Sequence, residues 1–447
     1  MSTRFTALTI REGDAFLLED NGRKCLFDSG VDDLIVRILN RKRIDNLDLA
    51  ICSHNDADHA NGFIELLESN IRIKEIWLPY WWASILQYAK DYPIDWKEMG
   101  CFDKDFKKKV LKDYDPESLF SEESESVPCD GFNNTLLALA DRAGYEKENQ
   151  LRFEKTIIQK IQHIVNRGVN ELGDRISPDV VDCITNGVVG FISHKLDYVV
   201  EYDEITCDMA RYVTYNIHEK HGNFLPWNYK RLIDDYCVRY LAERSLIDLI
   251  NGFDCVHNLK IKYDNIMKIA VLATKSGCTI KWFEPTKRLT NIPIDYGFVA
   301  LNSTNVCRVK KLKNTKAFVC ALYLTEENQY SLVFEYQKED VPIIRFSADS
   351  DGKWQSIPYR NNIIVTAPHH GANANKRVYL SLDNDNVIWV RSDSVFKTQG
   401  RPCATFKSLK NKYCLACKSN YFISEVCFEY DAMSRKWIYN SGERCVC

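Results

Sequence analysis

Within six residues, His54-Asn55-Asp56-Ala57-Asp58-His59, the chain offers two imidazoles and two carboxylates. Packing has no use for that mixture, whereas divalent metals bind through it. The apolar run Leu47-Asp48-Leu49-Ala50-Ile51-Cys52 precedes it and reads as a buried strand, which puts the cluster at a strand's carboxyl end. Three more apolar runs end in metal-type residues. Lys24 to Phe27 ends at Asp28, Ile343 to Ala348 at Asp349, and Ile363 to Pro368 at His369-His370-Gly371. The carboxyl ends of strands are where layered α/β folds hold ligands. A lone aspartate there is usually a cap or a turn former. His-His-Gly after a buried strand is a stronger signal, because glycine lets backbone approach a ligand closely. No Ser-His-Asp or Cys-His constellation competes.

The elements that must position these groups follow from periodicity. Over the first 80 residues, Thr6 to Ile10, Ala15 to Glu19 and Lys24 to Phe27 read as strands, with Asn21-Gly22 as a hairpin turn. Asp32 to Leu39 and Gly62 to Glu68 suit helices, and Ile73 to Leu78 is a strand stopped by Pro79. After Tyr80-Trp81-Trp82, an aromatic group expected to be buried, helical spacing dominates to about residue 260. Leu151, Ile158, Ile161 and Val165 share a face, Ser177-Pro178-Asp179 begins a helix, and Tyr229 to Ile250 repeats the pattern. Asp115 to Asp130, with its acidic serine run, reads as an exposed linker. Strand character resumes at Ile266 to Leu272 and continues through Phe318 to Leu324, Tyr330 to Tyr336, Ile343 to Phe346, Ile363 to Thr366 and Val387 to Val390. The expected division is therefore a sheet-forming half over 1–80, a mostly helical insertion over 81–262, a second half over 263–400, and a basic, cysteine-rich tail over 401–447.

Bulk properties narrow the classes. The chain has 447 residues, 45% of them hydrophobic, and a formal net charge of −3, so it is no generally basic nucleic-acid binder, although a local basic groove stays open. No apolar run approaches the roughly 18 residues needed to cross a bilayer, and Met1 to Phe5 lacks the apolar core of a signal peptide. A cytoplasmic protein without a membrane partner is expected. In that setting the 17 cysteines are read mostly as reduced, small hydrophobes, as at Cys52, Cys183, Cys237 and Cys320. Cys414, Cys417, Cys445 and Cys447 could instead make an additional structural zinc site, with Cys403 and Cys427 as alternative partners. His163, His194, His218, His221 and His257 are read as surface or packing residues. Arg308 to Lys313 and Lys407 to Lys412 are read as solvated basic faces, or as phosphate contacts if they flank the metal edge, with Tyr413 and Tyr421 available for stacking.

Taken together, these segments resemble the metallo-β-lactamase superfamily, and within it the hydrolase domain of the ComEC-type competence proteins and their soluble stand-alone relatives. Gly13 to Leu18, Asn21 to Lys24 and Leu26 to Gly30 are similar to that group's opening hairpin, and Ser53 to Gly62 to its His-x-Asp-x-Asp-His signature. Asn328 to Val333 and Ala367 to Ala372 resemble its later motifs, in family order; the resemblance covers roughly residues 5–80 and 265–395. It implies an α/β fold, an αββα sandwich with a large helical insertion and a metal site at one edge. It implies two divalent ions, zinc or manganese: His54 and Asp56 on the first, Asp58 and His59 on the second, and Asp349 bridging. His370, favoured over His369, would complete the second site. Asp28 would stand behind the ligands and hold their loop, and Asp58 would also act catalytically by orienting a metal-activated hydroxide. Asp56 replaces the superfamily's usual histidine, which hardens the donor set and favours manganese beside zinc. No equivalent of the separate third-motif histidine is found, since His257 comes too early, so the first metal is expected to be the weaker one. The group's Asn-Tyr-Gly-His-Pro element has become Thr398-Gln399-Gly400-Arg401-Pro402.

A metal-dependent hydrolase of phosphodiester bonds, a phosphodiesterase or nuclease, is the expected function, with nucleic acid or a nucleotide as substrate. The alternatives are a hydrolase of a small substrate (a cyclic or modified nucleotide, a thioester or a lactam) and a partner-dependent subunit docked through the helical insertion.

Overall fold

A computed structural model describes residues 3–94, 116–121, 126–129, 132–139, 244–339, 341–352, 362–381, 387–393, 401–415 and 425–441, with side chains of the long helix from 258 onward. The chain opens with β1 (Thr3–Ala7), β2 (Phe16–Asp20) and β3 (Arg23–Phe27). It then alternates through α1 (Leu34–Arg41), β4 (Asn46–Ile51), α2 (Ala57–Ala60), α3 (Gly62–Glu68), β5 (Arg72–Pro79) and α4 (Tyr80–Asp91). The next labelled elements are β6 (Val127–Pro128), α5 (Arg244–Lys275), β7 (Thr279–Pro285), β8 (Ile292–Pro293), β9 (Phe298–Ala300), β10 (Ser303–Val306) and β11 (Arg308–Val309). There follow α6 (Thr315–Leu324), β12 (Phe334–Lys338), β13 (Val341–Phe346), β14 (Ile363–Thr366), α7 (Lys376–Ser381) and β15 (Val387–Arg391). The last are α8 (Ala404–Lys407), β16 (Lys412–Cys414), β17 (Val426–Asp431) and β18 (Lys436–Ser441).

Two compact units divide the chain. One comprises Met1–Pro93, Val110–Asp141 and Lys262–Cys447; the other comprises Ile94–Lys109 and Arg142–Ile261, in which residues 244–261 are helical. The first unit is mixed α/β. Its larger sheet has the order β10-β7-β5-β4-β3-β2-β1-β17-β18, parallel from β3 through β4 and β5 to β7 and antiparallel elsewhere. The second sheet has the order β16-β15-β14-β13-β12-β9-β8, parallel from β13 to β16.

Strand alternation decides which residues meet between the sheets. From the larger sheet come Phe5, Phe16, Phe27, Leu49, Ile51, Trp77 and Phe283; from the second come Phe298, Phe334, Tyr336, Ile344, Phe346, Ile364 and Val390, all in one buried cluster. Phe27 stacks on Phe346 with centroids 4.9 Å apart, and Trp77 packs on Phe334 at 5.3 Å. The sheets therefore lie face to face. On the other side of the second sheet, Ile343, Ile363, Val365, Val387 and Trp389 pack with Val378, Tyr379, Phe406 and Leu409 of α7, α8 and their surroundings. In the larger sheet α1 and α3 make the crossovers between parallel strands and bury Ile35, Ile38, Leu39, Phe63 and Leu66. The consequence for function is positional: β3, β4, β13 and β14 all deliver their carboxyl ends to one edge.

Several local expectations are corrected. Ile266 to Leu272 and Phe318 to Leu324 are helical, within α5 and α6. Every residue of α6 from Ala317 to Leu324 is buried, so its apolar run carries no amphipathic period and mimics a buried strand. Its start was marked by Asn314, whose side chain accepts from the Ala317 amide at 3.0 Å. In α5 the buried Leu259, Tyr263, Ile266, Ala270 and Ala273 repeat at helical spacing. The strand expected over Tyr330 to Tyr336 begins only at Phe334, after a helical turn at Asn328–Tyr330. The described part of Asp115 to Asp130 is no exposed linker. Leu119 and Phe120 are buried, Phe120 bridges to Leu312, and β6 pairs with β11. The segment after residue 400 adds β16 to the second sheet and β17 and β18 to the larger one. The side chains of Tyr80, Trp81 and Trp82 are buried in α4. Cys52 and Cys320 are buried, and Cys183, Cys237 and the five histidines His163, His194, His218, His221 and His257 lie outside the described side chains. Among the described residues no helix is long and apolar enough to cross a membrane.

Phe346 touches the rings of Phe5, Phe16, Phe27 and Phe298. Phe346→Ala is expected to destabilise the first unit by about 3–5 kcal/mol. Urea denaturation checks it: the midpoint should fall with little change of slope.

Candidate metal centre

Asp28 organises the loop that carries the signature. Parallel pairing places Phe27 beside Ile51, so the residue after β3 lands beside the loop after β4. The buried Asp28 carboxylate accepts from the Ser53 amide on Oδ1 and from Ser53 Oγ on Oδ2, both at 2.8 Å, and its Oδ2 lies 2.9 Å from His59 Nδ1. Ser53 has one hydroxyl proton and gives it to Asp28, so the 2.9 Å contact between Ser53 Oγ and His54 Nδ1 is donated by the imidazole. Both histidines are thereby protonated on Nδ1 and turn Nε2 toward the sheet edge.

The second sheet supplies the facing half. Asp349 follows β13, and its carboxylate points two ways: Oδ1 lies 3.1 Å from His59 Nε2 and 3.8 Å from His370 Nε2, while Oδ2 lies 4.0 Å from His54 Nε2 and 3.6 Å from His369 Nε2. His370 Nε2 also meets Asp58 Oδ2 at 3.1 Å. Behind it, His370 Nδ1 faces Asp14 Oδ1 at 3.1 Å and the Ser392 carbonyl at 3.2 Å. Both are acceptors, so this imidazole too carries its proton on Nδ1 and directs Nε2 inward.

Metal-capable groups follow: His54, His59 and Asp349 form one, Asp58, His59 and His370 another, and Asp14, Asp28 and His59 a third. His59 belongs to each. Asp56 caps α2 at the rim, with Oδ2 3.3 Å from His54 Nε2, and joins none of these groups. Three buried donor atoms, His54 Nε2, His59 Nε2 and Asp349 Oδ1, make no hydrogen bond among the described residues. Convergent, buried imidazole nitrogens and carboxylate oxygens with no hydrogen bond of their own fit a divalent cation.

His369 and His370 are not equivalent. Arg401 can only donate, so its contact with His369 Nε2 occupies that lone pair, while Asn328 meets Nδ1 at 2.7 Å. His370 Nε2 instead faces both Asp58, at 3.1 Å, and Asp349, at 3.8 Å. The backbone that separates the two rings is left-handed at both, with φ of 49° and 51°. Arg391 holds this turn, its Nε donating to the His370 carbonyl at 2.6 Å.

Asp14 is not among the site residues expected from the sequence; it enters there only within the Gly13 to Leu18 stretch of the opening hairpin. Among the described residues Cys403, Cys414 and Cys427 join no metal-capable group: Cys414 Sγ accepts from Arg391 Nη1 at 2.8 Å, Cys403 caps α8, and Cys427 meets Thr6. Cys417, Cys445 and Cys447 lie outside the described residues. Arg308 bonds Ser126, Lys310 pairs with Glu284 and Lys311 with Asp91, while Lys412 Nζ donates to the carbonyls of Lys407 and Leu409. Tyr421 lies outside the described residues, and Tyr413 is packed against Phe428 and Tyr439. No family model matches the chain, and no curated protein matches it significantly.

Charges pair tightly in the metal-free protein. Burial lowers the His59 and His370 pKa values, but carboxylates overcome it and hold both well above the ordinary range: Asp349, Asp58 and Asp28 around His59, Asp14, Asp58 and Asp349 around His370. Burial raises Asp349, yet His59, His370 and His54 bring it well below the usual carboxylate range. The imidazolium protons on Nε2 occupy the place of a cation, and a metal must displace them. A raised histidine pKa contributes stability that is complete below the unfolded value of about 6.5 and is lost as pH rises through the folded value. The chelated protein is therefore expected to melt at falling temperature from pH 6.5 to 9, while the melting-temperature increase given by zinc grows over that interval. Melts with chelator and with zinc check both; opposite slopes would contradict a charge-paired centre.

Proposed function

We propose that the chain is a metal-dependent hydrolase of the metallo-β-lactamase fold, nearest to the competence-type hydrolase domains, and that it cleaves phosphodiesters in nucleic acid or a nucleotide. One observation carries this: the Asp349 carboxylate presents one oxygen to His59 and His370 and the other to His54. A carboxylate shared between two sets of donors is what a pair of divalent ions, zinc or manganese, requires. The face-to-face sheets, with every one of these groups at the carboxyl end of a strand, support the αββα assignment.

Bound there, two divalent ions would supply positive charge for the phosphate oxygens and lower the pKa of water. The chain's own groups divide the remaining work. Asp58, with its side chain 24% exposed, is reachable from outside while its Oδ2 is held by His370. It would orient the attacking water. His59 and His54 are fixed on Nδ1 and so cannot turn away from the centre. Arg401 sits beside His369 on the open side, where the resembled family has histidine. The planar fork of a guanidinium matches phosphate oxygens, which favours an anionic substrate over a neutral lactam. The lysine-rich stretches, engaged with Glu284, Asp91 and backbone carbonyls, add no argument for a long polymer track.

Manganese- or zinc-loaded protein is expected to hydrolyse bis(p-nitrophenyl) phosphate, a cyclic dinucleotide or single-stranded DNA. His59→Ala should lower the rate at least about 100-fold, and Arg401→Ala should lower kcat/KM roughly 10- to 100-fold, the worth of a charge-assisted contact. Steady-state assays on the three substrates check this. An unchanged rate in His59→Ala would sink the assigned centre, and turnover of a lactam or thioester alone would overturn the substrate class.

A further inference from the structure

We propose that Asp14 is a positioning residue of this centre, its buried carboxylate fixing the ring of His370 so that Nε2 faces Asp58 and Asp349; this rests on the metal-centre reading above. Asp14 is 1% exposed, and neither of its carboxylate oxygens makes a hydrogen bond among the described residues. A buried charge with no hydrogen bond is costly and persists only beside a compensating charge. The compensation is His370, whose Nδ1 lies 3.1 Å from Asp14 Oδ1.

The main chain leaves the carboxylate no other place. The Asp14 amide donates to the Asp58 carbonyl at 3.1 Å, the Asp14 carbonyl accepts from Gly30 at 3.0 Å, and the Gly13 carbonyl accepts from Ser392 Oγ at 2.8 Å. Gly13 adopts φ +93°, and a Cβ there would fall 1.6 Å from the Asp58 carbonyl oxygen, so only glycine allows the turn to seat against the signature loop. Three segments that carry or support the centre thus clamp Asp14 beneath His370.

The arrangement completes a pattern. His54 is held on Nδ1 by Ser53, His59 by Asp28, and His370 by Asp14 together with the Ser392 carbonyl. An acceptor behind a metal-binding imidazole fixes its tautomer and raises its basicity. Asp14, Asp28 and His59 also lie close enough to form a group of their own, but His59 Nδ1 is already committed to Asp28, so the three do not make a separate site.

Zinc alone, titrated calorimetrically into the chelated full-length protein against a competing chelator, tests the assignment in wild type, Asp14→Asn, Asp14→Ala and His370→Ala. Asp14→Ala is expected to bind zinc 10- to 100-fold more weakly. Asp14→Asn should lose less, because its amide oxygen keeps an acceptor facing His370 Nδ1–H. In the chelated protein both variants should melt lower, because each removes the buried charge that compensates His370. Zinc affinity within twofold of wild type in Asp14→Ala, with affinity lost in His370→Ala, would overturn the role of Asp14 and leave the centre standing. Zinc affinity lost equally in Asp14→Asn and Asp14→Ala, with no benefit from the retained acceptor, would reduce Asp14 to a packing residue. Unchanged affinity in His370→Ala would overturn the centre itself.

Discussion

The Asp28 carboxylate is the constraint from which the centre's order follows. It binds the Ser53 amide, the Ser53 hydroxyl and His59 Nδ1 at once, using both oxygens and leaving none for solvent. Through Ser53 it also fixes His54. One fully buried group thereby sets the tautomers of two imidazoles and the path of the loop between them. It can do so because β3 and β4 are parallel neighbours: the Asp28 amide donates to the Ile51 carbonyl at 2.8 Å, continuing the ladder one residue past the strands. Parallel pairing is set by the crossover through α1, and the crossover by the two-sheet core. The chemistry at the edge is therefore anchored in packing far behind it.

Backbone strain gathers at the same edge. Asp28, Ala348, His369 and His370 all have φ between 45° and 55°, a region that non-glycine residues rarely adopt. Each costs roughly 1–3 kcal/mol and persists where the surroundings over-determine it. Those surroundings are identifiable. Arg391 holds the His370 carbonyl, Tyr379 donates to the Pro368 carbonyl at 2.7 Å, and Asn375 donates to the carbonyls of Asp349 and Ser350 at 3.3 and 2.6 Å. Tyr379 is itself locked between Trp389 and Phe406. The outer core of the second sheet thus stabilises a turn that the local sequence alone would not adopt.

Much of this was legible from the chain and some was not, for physical reasons. The strand ends at Asp28, Asp349 and His369 could be read because short apolar runs stop abruptly at polar residues, a contrast that survives without neighbours. The run in α6 reads as a strand because burial on most sides erases the polar face from which helical periodicity is recognised, whereas Ile266 to Leu272 of α5, taken without Leu259 and Tyr263, is too short to show the helical repeat. Asp14 escaped notice because its partner His370 lies near the other end of the chain, and a Gly-Asp pair ahead of a strand signals a turn before anything else. The joining of β16, β17 and β18 to the sheets was hidden by composition: lysines, cysteines and short apolar runs resemble a tail until their partner strands are known.

Adjacent histidines with opposite tasks show what the fold adds to the motif. In sequence His369 and His370 are interchangeable, since each is an imidazole beside a glycine-ended turn. Two successive left-handed residues set their rings 80° apart with centroids separated by 6.3 Å. His370 is driven inward, where Asp14, Asp58 and Asp349 surround it with negative charge. His369, 19% exposed, is turned to the rim beside Arg401. Burial lowers its pKa, Asp349 opposes this, and the Arg401 guanidinium reinforces the lowering, so the ring stays neutral where His370 is cationic. A neutral acceptor that holds an arginine in place costs the centre no charge. It lets a guanidinium stand at the rim of a site otherwise dominated by Asp56, Asp58 and Asp349.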